Sequence, residues 1–165
     1  MTAANLQPWP LVNVIDGRIV AMVEIAAAPE RVFRALASSE IVNWWVNPGV
    51  FDTREWSGDV RVGGRWKATG MARGAPYVLE GEYLEVEPPR RLSHTWHLAG
   101  TIGAPSTVIY ELEAIDGGTR LRLSHEGVSS PEPGKGAAGG WDSSLRQLAT
   151  WIAPPGQPIV RAYRS

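Results

Sequence analysis

The sequence contains no cysteine. This absence excludes structural disulfides, thiolate zinc sites, iron–sulfur clusters and thiol nucleophiles. The chain also has little net charge, because sixteen basic residues oppose seventeen acidic ones and leave a formal charge of −1. Proteins that bind nucleic acids through their phosphates normally carry a clear basic excess. Nucleic acid is therefore not an expected partner.

Long hydrophobic runs and a secretory leader are also missing. No apolar run approaches the roughly 20 residues that a membrane-spanning helix needs. The first residues, MTAANLQPWP, have neither the basic start nor the apolar centre of a signal peptide. We therefore expect a cytoplasmic protein with no membrane insertion. Its 165 residues suit one domain.

Motifs of the common enzyme classes are absent too. The sequence has no G-x-S-x-G, no H-E-x-x-H and no dinucleotide-binding fingerprint. Gly63-Gly64 joins two predicted strands and precedes no helix, so it does not resemble a phosphate-binding loop. His94 and His97 lie three residues apart on a predicted strand and point to opposite faces. We expect no metal site and no cofactor.

What the sequence has in excess is tryptophan, with eight residues against four tyrosines and two phenylalanines. Tryptophan is large, mostly buried and well suited to lining apolar sites. The excess therefore indicates an apolar site or an aromatic core, without saying where it lies.

Turn signals and apolar periodicity predict the order of elements. Asp16-Gly17 suits the turn of an initial hairpin, and Pro29 suits the first turn of a helix over 29–37. Ser39 is predicted to cap a second short helix that ends at Trp45. Period-two alternation then predicts strands over 51–57, 64–71, 76–87, 91–98, 106–115 and 118–126.

The end of the chain is predicted to hold a loop and a helix. Residues 127–140 contain five glycines and two prolines, which predicts irregular structure and suggests a flexible gate over a pocket. A helix follows, because apolar residues recur at helical spacing. These residues are Trp141, Leu145, Leu148 and Ile152.

The register of the last hairpin follows from its turn. A two-residue loop at Asp116-Gly117 places Glu113 opposite Arg120 and Val108 opposite His125. One face of the hairpin then carries charges, and the other is apolar with a single histidine. A shift by one residue would set glutamates against leucines, so the register is well specified.

Several segments together resemble a known family. They are AAPERVFRALASSEIVNWW at 27–45, VGGRWKATG at 62–70, GEYLEVEPPRRLSHTW at 81–96, GGTRLRLSHEG at 117–127 and GWDSSLRQL at 140–148. Their order and spacing are similar to those of bacterial homologues of the heat-shock-protein-90 ATPase activator C-terminal domain, within the START-like or SRPBCC superfamily. The resemblance covers roughly residues 19–153.

The resemblance implies an α+β helix-grip fold, as in the birch-pollen allergen. In that fold a curved antiparallel sheet surrounds a long C-terminal helix, two short helices follow the first strand, and an apolar cavity lies between. We expect an N-terminal extension over 1–18 with an extra strand, the START-like domain over 19–153, and a tail over 154–165. The fold alone does not fix the chemistry, because related domains bind lipids, cyclise polyketides or act as co-chaperones.

Inward-facing aromatic and histidine residues are the candidate ligand contacts. Small residues beside Trp66, namely Ala68 and Gly70, suggest room for a ligand; ordinary core packing is the alternative for each side chain. His94 and His125 would be the acid or base if the protein were an enzyme, and otherwise hydrogen-bonded structural residues. The candidate set is Trp45, Trp66, Tyr83, His94, Trp96, Tyr110, His125 and Trp141.

The favoured function is binding of an apolar, aromatic small molecule between sheet and terminal helix, in a carrier, sensor or sequestration role. The alternatives are a cavity enzyme of cyclase or hydrolase type and a co-chaperone-type interaction domain. Apolar surface around Trp9 or Trp151 would also suit a homodimer.

Overall fold

The described part of the chain folds into eight strands and two α-helices, with one short 3₁₀ helix. The computed structural model describes residues 6–7, 9–128 and 137–152. In chain order the elements are β1 (Leu11–Ile15), β2 (Arg18–Ile25), α1 (Pro29–Leu36), a 3₁₀ helix (Ser39–Asn43), β3 (Phe51–Gly58), β4 (Arg65–Ala72), β5 (Ala75–Glu87), β6 (Arg91–Leu98), β7 (Ser106–Ile115), β8 (Gly118–Glu126) and α2 (Ala137–Ile152).

All eight strands form one antiparallel sheet in the order β1-β2-β8-β7-β6-β5-β4-β3. Strands that are neighbours in sequence pair with one another, except β2 and β3. Strand β2 pairs with β8 instead and so joins the first hairpin to the last. The sheet curves around α2, and the apolar core lies between them. This confirms the predicted helix-grip α+β fold, with β1 as the eighth strand.

The hairpins follow the turn chemistry in the sequence. Asp16 and Gly17 take φ angles of 52° and 75°, which a two-residue turn of this kind requires. The last hairpin has the predicted register, with Glu113 opposite Arg120 and Val108 opposite His125. Its apolar face therefore points inward and its charged face outward.

The terminal helix α2 is held by its apolar stripe. Trp141, Leu145, Leu148 and Ile152 are at most 8% exposed, as the helical spacing predicts. Burial of one large apolar side chain contributes about 1.5–3 kcal/mol, so packing of this stripe stabilises the helix far more than helix propensity does.

Two local predictions were wrong. The 3₁₀ helix is capped by Ser38 instead of Ser39, because Ser38 has the extended backbone of a cap and its Oγ accepts a hydrogen bond from Glu40 N–H at 3.2 Å. Helix α2 begins at Ala137, so Gly139 and Gly140 lie inside it although an irregular segment to residue 140 was predicted. Burial of Ala138 and Trp141 offsets the low helix propensity of the two glycines. The rest of the predicted gate, residues 129–136, lies outside the described residues.

Candidate functional site

A cavity of about 300 Å³ lies between the inner face of the sheet and the first turns of α2. This volume is at the lower end of the range for small-molecule sites. The exposed surface of the walls is mostly apolar, and six of the fifteen lining residues carry rings. The lining residues are Trp45, Asn47, Val50, Phe51, Thr53, Ala72, Arg73, Tyr77, Leu79, Trp96, Leu98, His125, Gly140, Trp141 and Ser144.

Three indole rings from three different elements form one continuous wall of the cavity. Trp45 follows the 3₁₀ helix, Trp96 lies near the end of β6, and Trp141 lies on α2. The ring centroids of Trp45 and Trp96 are 4.9 Å apart, and those of Trp96 and Trp141 are 5.5 Å apart. Tilted aromatic pairs at such distances are favourable beyond their burial. The wall thus presents ring surface to the cavity.

A directed chain of hydrogen bonds restrains Trp141 and His125 in this wall. The indole N–H of Trp141 donates to Nδ1 of His125 at 2.9 Å. Because an indole nitrogen only donates, Nδ1 carries no proton and Nε2 of the neutral ring carries it. Nε2–H therefore donates to Ser106 Oγ at 2.7 Å, and the Ser106 hydroxyl donates to the carbonyl of Trp96 at 3.1 Å.

The direction of this chain decides what Ser106 and His125 can do chemically. A serine nucleophile needs a histidine nitrogen that accepts its proton, with the other nitrogen held by a carboxylate. Here the nitrogen facing Ser106 already carries a proton, so His125 cannot act as its base in this arrangement. Burial, with a smaller contribution from nearby His94, lowers the pKa of His125 to about 3. The ring is therefore neutral at pH 7.

Thr53 and Tyr77 form the second polar group of the cavity. The Thr53 hydroxyl donates to the carbonyl of Trp45 at 2.8 Å, so the Tyr77 hydroxyl donates to Thr53 Oγ1 at 2.6 Å. Burial raises the pKa of Tyr77, opposed by the bond to Thr53. The hydroxyl protons of Thr53 and Tyr77 are thus engaged within the protein, as are the ring protons of Trp141 and His125.

A second aromatic group, the inner cluster, lies deeper in the core and does not line the cavity. We define it as Trp66, Tyr83, His94 and Tyr110, each at most 3% exposed. The ring centroids of the other three lie 5.1–5.9 Å from that of His94. His94 donates from Nδ1 to the carbonyl of Thr95 at 2.9 Å, and burial lowers its pKa to about 4.

Polar atoms in and beside the inner cluster lack partners. Trp66 Nε1 and Tyr110 Oη in the cluster, and Trp45 Nε1 in the cavity wall beside it, are buried without a hydrogen-bond partner among the described residues. Burial and the neighbouring Tyr83 raise the pKa of Tyr110, while the nearby Trp45 indole partly opposes this rise. A buried polar group without a partner costs about 1–3 kcal/mol. Packing therefore holds the inner cluster together.

The structure divides the eight predicted contact residues into two equal groups. Alternation along a strand predicts which face a side chain occupies but not how deep along the sheet it lies, so the two groups could not be separated from the sequence. Trp45, Trp96, His125 and Trp141 line the cavity, whereas Trp66, Tyr83, His94 and Tyr110 form the inner cluster behind it.

The interpretation of Gly70 as room for a ligand was wrong. A Cβ at Gly70 would lie 2.1 Å from the carbonyl oxygen of Asp52. The glycine therefore allows the close approach of β3 to β4 and leaves no free volume.

Sequence reasoning also missed several cavity residues. Tyr77 and Leu79 share the inward face of β5 with Tyr83, so alternation from Tyr83 could have identified them. Phe51 and Arg73 lie at strand ends beside turns, where periodicity gives no signal.

The other tryptophans are outside the cavity. Trp44 is fully buried and donates to the carbonyl of Ala35 at 2.9 Å, so it belongs to the core. Trp56 is half-buried against that core. Trp151 is 45% exposed and donates to Glu40 at 2.9 Å; a homodimer at this surface stays a prediction.

The described ranges also bear on metal binding and membrane spanning. No group of three or more histidine and carboxylate side chains there could hold a metal ion. In the same ranges, no helix is both long and apolar enough to cross a membrane.

Comparison with known proteins places this geometry in context. Residues 26–153 match the sequence model of the family described as Activator of Hsp90 ATPase homolog 1-like protein. A comparison with curated proteins found no match. Among solved structures, protein CV1439 from Chromobacterium violaceum is 28% identical, with a TM-score of 0.75 over 85% of this chain and 99% of that one.

Two further solved structures are similar. The AHSA1 protein SPO3351 from Silicibacter pomeroyi is 26% identical with a TM-score of 0.67, covering 82% of this chain and 96% of its own. CalU16 from Micromonospora echinospora is 25% identical with a TM-score of 0.58, and the match covers 93% of this chain and 88% of CalU16.

Proposed function

The chain belongs to the family of Activator of Hsp90 ATPase homolog 1-like proteins, and from that premise we propose that it binds an apolar, aromatic small molecule in the cavity between the sheet and α2. The observation that carries the proposal is the wall of Trp45, Trp96 and Trp141, which faces a cavity of about 300 Å³. A carrier, sensor or sequestration role would follow from such binding.

The energetics suit a ligand of one or two rings. Removing about 200 Å² of apolar surface from water contributes roughly 5 kcal/mol before the costs of association. Ring contacts with the indole wall add about 0.5–1.5 kcal/mol each. Association costs at least about 4 kcal/mol, so we expect dissociation constants of about 100 μM or weaker.

The alternative of a cavity enzyme is not favoured by the site. His94 lies behind the cavity wall, and both nitrogens of His125 are engaged. Both rings are held neutral by burial, which disfavours the protonated form a general acid needs. The co-chaperone role that the family's name suggests gains no support from the cavity.

The test is a fluorescence titration with N-phenyl-1-naphthylamine, a neutral apolar dye that brightens in dry sites. We expect saturable one-to-one binding, with quenching of tryptophan emission as the dye approaches the indole wall. If neither this dye nor a broad set of apolar ring compounds binds, the proposed function is wrong.

A further inference from the structure

Among the residues that the structure describes, one charged side chain lines the cavity. Arg73 lies in the two-residue turn Arg73-Gly74 between β4 and β5, and its side chain is exposed at the mouth. The remaining lining residues are apolar or neutral, since burial keeps His125 uncharged at pH 7. Arg73 therefore sets the electrostatic character of the entrance.

Arg73 also differs from the other arginines of the described residues. Eleven of those lie within 4 Å of a carboxylate, whereas Arg73 has no ion pair in these ranges. An arginine that lines a cavity and has no carboxylate partner among the described residues is suited to an oxyanion such as a carboxylate or sulfonate.

The backbone at Arg73 is unusual for this residue type. Its φ angle is +50°, in the left-handed region that hairpin turns usually fill with Asn, Asp or Gly. The turn is held there by a hydrogen bond from Arg73 N–H to the carbonyl of Val50 at 2.8 Å. Since Val50 also lines the cavity, this bond ties the arginine to its mouth.

The neighbouring carboxylate does not compete for Arg73. Asp52, on β3, accepts two bonds from Arg54 at 3.0 and 3.1 Å and one from Met71 N–H at 3.1 Å. These bonds lower the pKa of Asp52 and keep it ionised. Its charge is matched by Arg54, so the charge of Arg73 remains available to a ligand.

We infer that the ligand is an amphipathic anion, with an apolar ring body in the cavity and a carboxylate or sulfonate group at Arg73. This inference rests on the proposed function and narrows its ligand class. The aromatic wall supplies affinity for the body, and Arg73 selects the anionic end.

Two dyes with the same ring system test this inference. 8-Anilinonaphthalene-1-sulfonate carries a sulfonate that N-phenyl-1-naphthylamine lacks, so their difference reports the anionic group alone. The variant Arg73→Asn removes the charge and suits the turn, so it should fold. Arg73→Lys keeps the charge, and Arg61→Gln removes an exposed arginine outside the cavity lining.

We expect Arg73→Asn to weaken binding of the sulfonate dye about three- to tenfold and binding of the neutral dye less than about twofold. Arg73→Lys should recover most of the loss, Arg61→Gln should bind both dyes like the wild type, and 1 M salt should reduce the effect of Arg73→Asn. If Arg73→Asn weakens binding of both dyes equally, or of neither, the inference is overturned while the proposed function stands. If the wild type binds neither dye and none of the broad set of apolar ring compounds, the proposed function itself fails.

Discussion

The cavity wall and the inner cluster contain the same residue types, tryptophan and histidine with tyrosine nearby, but they are held in different ways. In the wall, Trp141, His125 and Ser106 are joined by directed hydrogen bonds that end on the carbonyl of Trp96. In the inner cluster, Trp66 Nε1 and Tyr110 Oη have no partner, and the rings contact one another on all sides.

This difference has a physical reason. A ring that faces a cavity is packed on one side only, so packing alone does not fix its orientation. Hydrogen bonds supply this restraint for Trp141 and His125. Trp45, whose indole N–H has no partner, is positioned by ring contacts, as the inner cluster is.

The largest expected effect separates the two regions by stability. Trp66→Ala should lower the free energy of unfolding by about 3–5 kcal/mol, because it removes a fully packed indole and leaves a void. Phe51→Ala, in the cavity wall, should cost about 1–2 kcal/mol, because Phe51 is half-buried beside volume that is already open. Urea unfolding measures both values, and equal losses would show that the two regions are packed alike.

The pH dependence of stability probes one histidine in each region. Burial holds the pKa of His94 at about 4 and that of His125 at about 3 in the folded state, against 6.5 when exposed. As the pH falls below 6.5, these two histidines bind protons in the unfolded chain but not in the folded one. The free energy of unfolding therefore decreases. Between about pH 7.5 and 5 the loss should be about 2 kcal/mol for each histidine.

Urea unfolding at several pH values, with His94→Gln and His125→Gln as comparisons, checks this. Each variant should lose about half of the pH dependence in that window. A wild type whose free energy of unfolding is unchanged from pH 7.5 to 5 would contradict the burial of two neutral histidines. If His94→Gln removes the whole pH dependence and His125→Gln removes none, the pKa of His125 is not lowered on folding. The cavity wall would then be more hydrated than the inner cluster.

The smallest expected effects compare two hydroxyl groups. Ser106→Ala should cost about 1–2 kcal/mol, because it leaves His125 Nε2–H without an acceptor. Tyr110→Phe should change stability by less than about 0.5 kcal/mol or raise it slightly, because the lost hydroxyl has no partner. Thermal unfolding resolves both changes, and the reverse order would mean that the inner cluster is the hydrogen-bonded region.

Much of the fold could be predicted because local patterns specify it. Alternation and turn residues predicted every strand, and the Asp116-Gly117 turn predicted the register that places His125 inward. The contact between Trp141 and His125 could not be predicted, since it depends on how α2 is seated against β8. Arg73 was also missed, because turn residues are normally interpreted through backbone conformation alone.

The central claim is that the volume beside α2 is the binding site, and two adjacent glycines test it most directly. A Cβ at Gly140 would lie 3.5 Å from the Phe51 ring in the cavity, whereas a Cβ at Gly139 meets nothing within 4 Å among the described residues. Gly140→Leu and Gly139→Leu therefore add the same side chain to the same helix, inside and outside the site. In titrations with N-phenyl-1-naphthylamine, Gly139→Leu should bind like the wild type and Gly140→Leu at least about tenfold more weakly, a loss of about 1.4 kcal/mol. Equal affinity of the two folded variants would contradict the claim.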